Sequence, residues 1–179
     1  MPEMTSTLAT LLAAGLFGYL LGSVPFGIVI ARVFGLGDLR KIGSGNIGAT
    51  NVLRTGNKLA AFLTLVLDSG KGAIAVLVVR AFATEDAVQL AGLAAFIGHC
   101  FPVWLRFKGG KGVATFLGTL IALAWPVGLA ACGAWLIVAA IMRYSSLAAL
   151  FAAGMSPVFA ALLGHILMEL VRRQPGKYA

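Results

Sequence analysis

The sequence predicts an all-α protein, a polytopic bundle of transmembrane helices with short or broken members and glycine-rich loops on one face. Three observations predict it. Of 179 residues, 60% are hydrophobic and 11% charged, against about 25% charged in soluble domains, and mean hydropathy is +0.96. Uncharged runs recur at the length of about 20 residues that a helix needs to cross hydrocarbon. The 14 Lys and Arg outnumber the 6 Asp and Glu and gather between those runs. A net charge of +8 could suit nucleic acid, but so little polar surface places the charges at the edges of a membrane protein. Residues 1–179 are expected to form one membrane domain, and a monomer, with no nucleic-acid partner.

The elements follow in order. The first uncharged run covers residues 4–31 and gives way to a polar, glycine-rich segment over residues 32–58. No signal peptide is expected, because residues 1–7 hold Glu3 and no base. A second span covers residues 59–79 and contains Asp68 and Lys71; a third covers residues 87–105 and carries His99 and Pro102 near its end. The next uncharged run, residues 112–142, would be about 46 Å long as one helix. Trp125-Pro126 interrupts it, so two short helices joined at a tight turn are expected. A last run over residues 144–168 supplies a further span. Cys100 and Cys132 sit inside apolar runs and read as buried small hydrophobes, not a disulfide.

Short-loop charge sets orientation, with Lys and Arg retained in the cytoplasm. Arg32, Arg40, Lys41, Arg54 and Lys58 follow the first span, Arg106, Lys108 and Lys111 the third, and Arg143 the fifth. These fall on one face, whereas the second connection holds Glu85 and Asp86. The N-terminus is therefore expected outside and the basic loops cytoplasmic. A single crossing by the last run then puts Arg172, Arg173 and Lys177 outside, against the rule.

Chemistry concentrates in two loops. In Gly43-Ser-Gly-Asn-Ile-Gly48, three glycines permit converging backbone N–H groups, and Ser44, Asn46, Thr50 and Asn51 add donors beside Arg54. Such a nest suits phosphate or carboxylate. The string also fits G-x-G-x-x-G, but a membrane span precedes it where the dinucleotide fold needs a strand. Phe107-Lys-Gly-Gly-Lys-Gly-Val-Ala-Thr115 pairs glycines with lysines at another entrance on the same face. It is no Walker loop, since Gly112 follows Lys111. Gly43, Gly45, Gly48, Lys108, Gly109, Gly110, Gly112 and Thr115 thus join the candidate binding residues.

Asp68 and Lys71 stand three apart, on one helix face, where they can pair. Ionisable groups in a membrane are functional candidates unless they only lock helices together, and a supporting role is favoured. His99, near the end of its span, is either a substrate contact or a structural histidine. Arg143 with Ser145 is either a phosphate contact or a helix cap with its charge anchor. No C-x-x-C, metal cluster, G-x-S-x-G elbow or H-x-x-x-x-D signature is present, so no metal and no cofactor are expected.

These blocks resemble the bacterial acyl-phosphate:glycerol-3-phosphate acyltransferases. The resemblance begins at Gly22-Ser-Val-Pro-Phe-Gly27 and continues through Gly43–Arg54, Leu67-Asp-Ser-Gly-Lys-Gly72, Gly98-His-Cys-Phe-Pro-Val103 and the Phe107–Thr115 block. It ends near Arg143-Tyr-Ser-Ser-Leu-Ala148. It implies an inner-membrane enzyme with a cytoplasmic site. It also implies transfer of an acyl group from acyl phosphate to the first hydroxyl of glycerol 3-phosphate, giving lysophosphatidic acid and phosphate. The family pattern places function on Ser44, Arg54 and the Lys108/Lys111 loop, with Ser44, Arg54 and Lys111 as catalytic candidates. Direct attack by the glycerol hydroxyl is expected, its proton passing to a substrate phosphate or to Asp68. From about residue 165 the sequence departs from relatives, which usually add a membrane helix and a cytoplasmic Arg-His-Arg-x-Asn block. A missing return helix, and a weakened enzyme, is the expectation; the alternative is that the last run turns back at Pro157. A different class also stays open: a small transporter for phosphate or a phosphorylated metabolite, with Asp68 and Lys71 at mid-membrane.

Overall fold

The computed structural model describes residues 5–172, with side chains to residue 166. Among the described residues there are eight α-helices: α1 (Leu8–Gly22), α2 (Phe26–Val33), α3 (Ala49–Leu53), α4 (Lys58–Arg80), α5 (Glu85–Cys100), α6 (Val113–Leu123), α7 (Trp125–Met142) and α8 (Ser145–Arg172). No strand occurs among the described residues. Five segments are long and apolar enough to cross a membrane: Leu8–Val33, Lys58–Arg80, Glu85–Leu105, Trp125–Met142 and Ser145–Ile166. The protein is an integral membrane helix bundle.

Two compact units are formed, residues 1–123 and residues 124–179. In the first, α4 is the central element and packs on α1, α2, α3, α5 and α6. Its buried face holds Ala60, Ala61, Thr64, Asp68, Lys71, Gly72, Ala75, Val76 and Val79, while Phe62, Leu65, Ile74 and Leu77 point outward. That pattern is what lipid demands, because bilayer tails are as apolar as leucine and helices associate through small residues and polar contacts. The α1–α5 seam shows it best. A Cβ on Gly18 would overlap the Ala91 carbonyl, one on Gly22 the Ala95 carbonyl, and one on Gly98 the Tyr19 carbonyl. In the second unit α7 and α8 pack on each other.

The first run makes one candidate span, Leu8–Val33, but not one helix. It breaks at Ser23-Val24-Pro25 into α1 and α2. Pro25 has no N–H to donate and disfavours helical geometry at Val24. At the break the Val24 carbonyl accepts from Phe26 N at 3.1 Å and from Lys71 Nζ at 2.8 Å. The 112–142 run does divide, at Ala124, between α6 and α7. The last run does not turn back at Pro157, since α8 continues through it as one helix to Arg172. Residues 173–179, on which the rest of the tail expectation falls, lie outside the described residues.

Candidate active site

The two glycine loops meet at one end of the first unit. Arg40, in a 3₁₀ turn over Leu39–Lys41, donates from Nη2 to the Lys108 carbonyl at 2.9 Å across 68 residues of sequence. Residues 32–58 and 106–112 bring eight Lys or Arg to this end against a single acid, Asp38. So strong an excess of one sign concentrates anions there.

The first loop stands on a buried floor of Leu39, Ile47 and Val52. Asn51, 2% exposed, knits it together. Its Oδ1 accepts from Ser44 N at 3.1 Å and Ser44 Oγ at 3.4 Å, and its Nδ2 donates to Leu39 O at 2.9 Å. Asn46 Oδ1 accepts from Gly48 N, and Ile42 O from Gly45 N. Three amides expected to form an anion nest are therefore engaged within the loop, and Asn51 and Asn46 act as its internal braces. Gly43 (φ +52°) is required for a second reason: a Cβ there would lie 2.6 Å from Arg54 Cδ and Nη1. The Arg54 side chain thus crosses Gly43, next to the exposed hydroxyl-bearing Ser44. Thr50, also exposed, stands on α3.

The second loop folds back on the end of α5. Gly109 N donates to Cys100 O at 3.0 Å and Gly110 N to His99 O at 3.1 Å, satisfying two carbonyls that a helix terminus otherwise leaves orphaned. The approach is so close that a Cβ on Gly109 would overlap His99 O, one on Gly110 the His99 ring, and one on Gly112 (φ +76°) the Phe96 ring. Arg106 and Phe107 both take positive φ, 52° and 63°, a costly geometry for non-glycine residues that persists only where surroundings enforce it. Lys108 and Lys111 are exposed on this loop.

Beneath it lies a buried charged cluster. Lys71 Nζ and Asp68 Oδ1 are 2.9 Å apart, both side chains at most 2% exposed, and Lys71 also lies 5.7 Å from the Phe26 ring centroid. Thr115, a candidate substrate contact, and His99, a candidate contact or structural histidine, both lie inside the fold. Thr115 is fully buried and donates to Asp68 O at 2.9 Å, tying α6 to α4. His99 is 5% exposed, with Nδ1 3.5 Å from Asp68 Oδ1. Asp68 is 2% exposed and paired with Lys71. Arg143, at the αL cap of α7 (φ 59°), and Ser145, opening α8, belong to the second unit.

The glycerol-3-phosphate acyltransferase family model matches residues 12–173. The chain is 72% identical over 165 residues to the glycerol-3-phosphate acyltransferase of Jannaschia sp. (strain CCS1), covering 92% of this chain and 81% of that one. It is 68% identical over 164 residues to that of Cereibacter sphaeroides (strain ATCC 17025), covering 92% and 78%. Among solved structures, it is similar to the glycerol 3-phosphate form of PlsY, an integral membrane glycerol 3-phosphate acyltransferase. The TM-score is 0.80 at 43% identity, over 86% of this chain and 78% of that one.

Proposed function

The chain belongs to the glycerol-3-phosphate acyltransferase family, and from that premise we propose how its residues carry out the reaction. The enzyme takes an acyl phosphate as donor and acylates the first hydroxyl of glycerol 3-phosphate, releasing lysophosphatidic acid and inorganic phosphate. The observation that carries this reading is the Arg40–Lys108 hydrogen bond, which makes two cationic glycine loops into one site fit for two phosphate-bearing substrates. A transporter reading has no comparable support, since the glycine–cation loops gather at one end and the solved relatives are acyltransferases.

The hydroxyl oxygen attacks the acyl carbonyl carbon, and the carbon–oxygen bond to phosphate breaks with its electron pair leaving on phosphate. Phosphate is a competent leaving group, so no covalent acyl-enzyme is needed. The hydroxyl proton passes to a phosphate oxygen of the substrate. Arg54 and Lys111 neutralise charge growing on the oxyanion and the departing phosphate, the kind of contact that strengthens in the transition state. Ser44, held by Asn51, orients a phosphate. Lys108 and Thr50 complete the contacts. The excess of Lys and Arg at this end supports a cytoplasmic site in the inner membrane. The match of the family model across both units supports one acyltransferase domain.

The test incubates purified protein in detergent with acyl phosphate and glycerol 3-phosphate. Release of phosphate together with lysophosphatidic acid, dependent on both substrates, is the expected result. Phosphate release that ignores glycerol 3-phosphate would overturn it.

A further inference from the structure

We propose that His99 is a positioning residue for the second glycine loop, and that Asp68 sets the His99 ring. The inference rests on the reading of that loop as a phosphate site. His99 touches the loop twice: its carbonyl accepts from Gly110 N, and its Nε2 edge lies where a Gly110 Cβ would be. On its other edge Nδ1 faces Asp68 Oδ1 at 3.5 Å, which favours the tautomer protonated on Nδ1. Asp68 is in turn held by Lys71, and Lys71 by the Val24 carbonyl in the α1–α2 break. A continuous chain of buried groups thus runs from the helix break, through the ion pair and the imidazole, to the residue preceding Lys111.

Two features argue that the chain does more than pack. Nδ1 of His99 is buried without a hydrogen-bond partner, which native interiors rarely leave unresolved, and the acceptor it faces, Asp68 Oδ1, is already fixed by Lys71. Gly110 has no side chain to stand between the loop and the ring: a Cβ there would overlap His99 Nε2. Glycine at 110 is then a requirement of the histidine: the loop must rest directly on the ring for Lys111 to be held in place.

The experiment measures kcat and both KM values in detergent, with Tm as the check on folding. His99→Ala is expected to lower kcat/KM about tenfold, chiefly through the KM of whichever substrate Lys111→Ala also weakens. His99→Asn, which keeps an N–H near the Nδ1 position, recovers most of the loss. Gly110→Ala reproduces the defect in the native background but adds little in the His99→Ala background, where the ring is gone. Wild-type KM values for His99→Ala, or independent multiplication of the two effects, would overturn the proposal. Should His99→Ala not be recovered folded, Gly110→Ala decides alone: a raised KM at unchanged Tm supports the proposal, and an unchanged KM overturns it. A Lys111→Ala enzyme with normal kcat and KM would instead sink the phosphate-site reading itself.

Discussion

The two ends of the first unit are both polar, and they handle charge in opposite ways. At the end formed by the start of α1, the end of α4 and the start of α5, the two acids among the described residues, Glu85 and Asp86, meet donors. Arg80 pairs with both Glu85 oxygens at 3.0 and 3.1 Å and donates to the α6 carbonyls of Ala122 and Leu123. Asp86 accepts from Thr5 N, Ser6 N, Ser6 Oγ and Thr84 Oγ1. At the glycine end, residues 32–58 and 106–112 hold eight Lys or Arg and one acid, Asp38. One end balances its charges pair by pair; the other carries a large excess of one sign. Polarity at a membrane surface is therefore not itself a sign of a site; a strong excess of one charge is the feature that draws anions.

The largest expected effect comes from removing those cations. Arg54→Ala and Lys111→Ala should each cut kcat by at least about tenfold to a hundredfold, about 1.4–2.7 kcal/mol of transition-state stabilisation, with Tm unchanged. A near-normal kcat for either variant would remove that residue from the mechanism. Next, Gly43→Ala should cost roughly tenfold in kcat/KM, since its Cβ would collide with Arg54 in a backbone region that alanine resists. Steady-state kinetics beside Arg54→Ala checks this, because the double variant should be little worse than Arg54→Ala alone. Asp86→Ala is the contrasting test. It should lower Tm by a few degrees while leaving both KM values untouched, and a raised KM would show that the balanced end reaches the site. The smallest effect is expected for Arg40→Ala, which loosens the tie between the loops. A net loss near that of one hydrogen bond to a charged group, about 1.5 kcal/mol, would appear as roughly tenfold or less in kcat/KM, with Tm little changed.

Much of this contrast is legible in sequence. The basic loops and the acidic second connection give its sign directly. The spacing of Asp68 and Lys71 gives their pairing. The Trp125-Pro126 break is equally visible, because proline punctuates helices locally. Other features were available but unread. Ser23-Val24-Pro25 carries the same proline signal inside an apolar run. Gly18 and Gly22 opposite Ala91 and Ala95 follow the small-residue spacing of membrane helix seams. The roles of Thr115, His99 and Asn51 were not accessible in this way. Each is a polar residue near a glycine loop, and only packing distinguishes a group turned inward to brace the loop from one turned outward to substrate.

The sequence by itself determined the class of protein, its crossings, the sign of its active end and the family chemistry. These depend on composition, local backbone preference and motif, all properties of residues close together in the chain. The tertiary structure decided which polar groups stay available. It joined Arg40 to Lys108 across 68 residues, turned the amides of Gly109 and Gly110 onto the end of α5, and set His99 between Asp68 and Gly110. Hydrogen bonds are directional and saturable, so a donor's partner depends on geometry brought from elsewhere in the chain. Residue identity names the donors, and the fold selects which of them remain for the substrate.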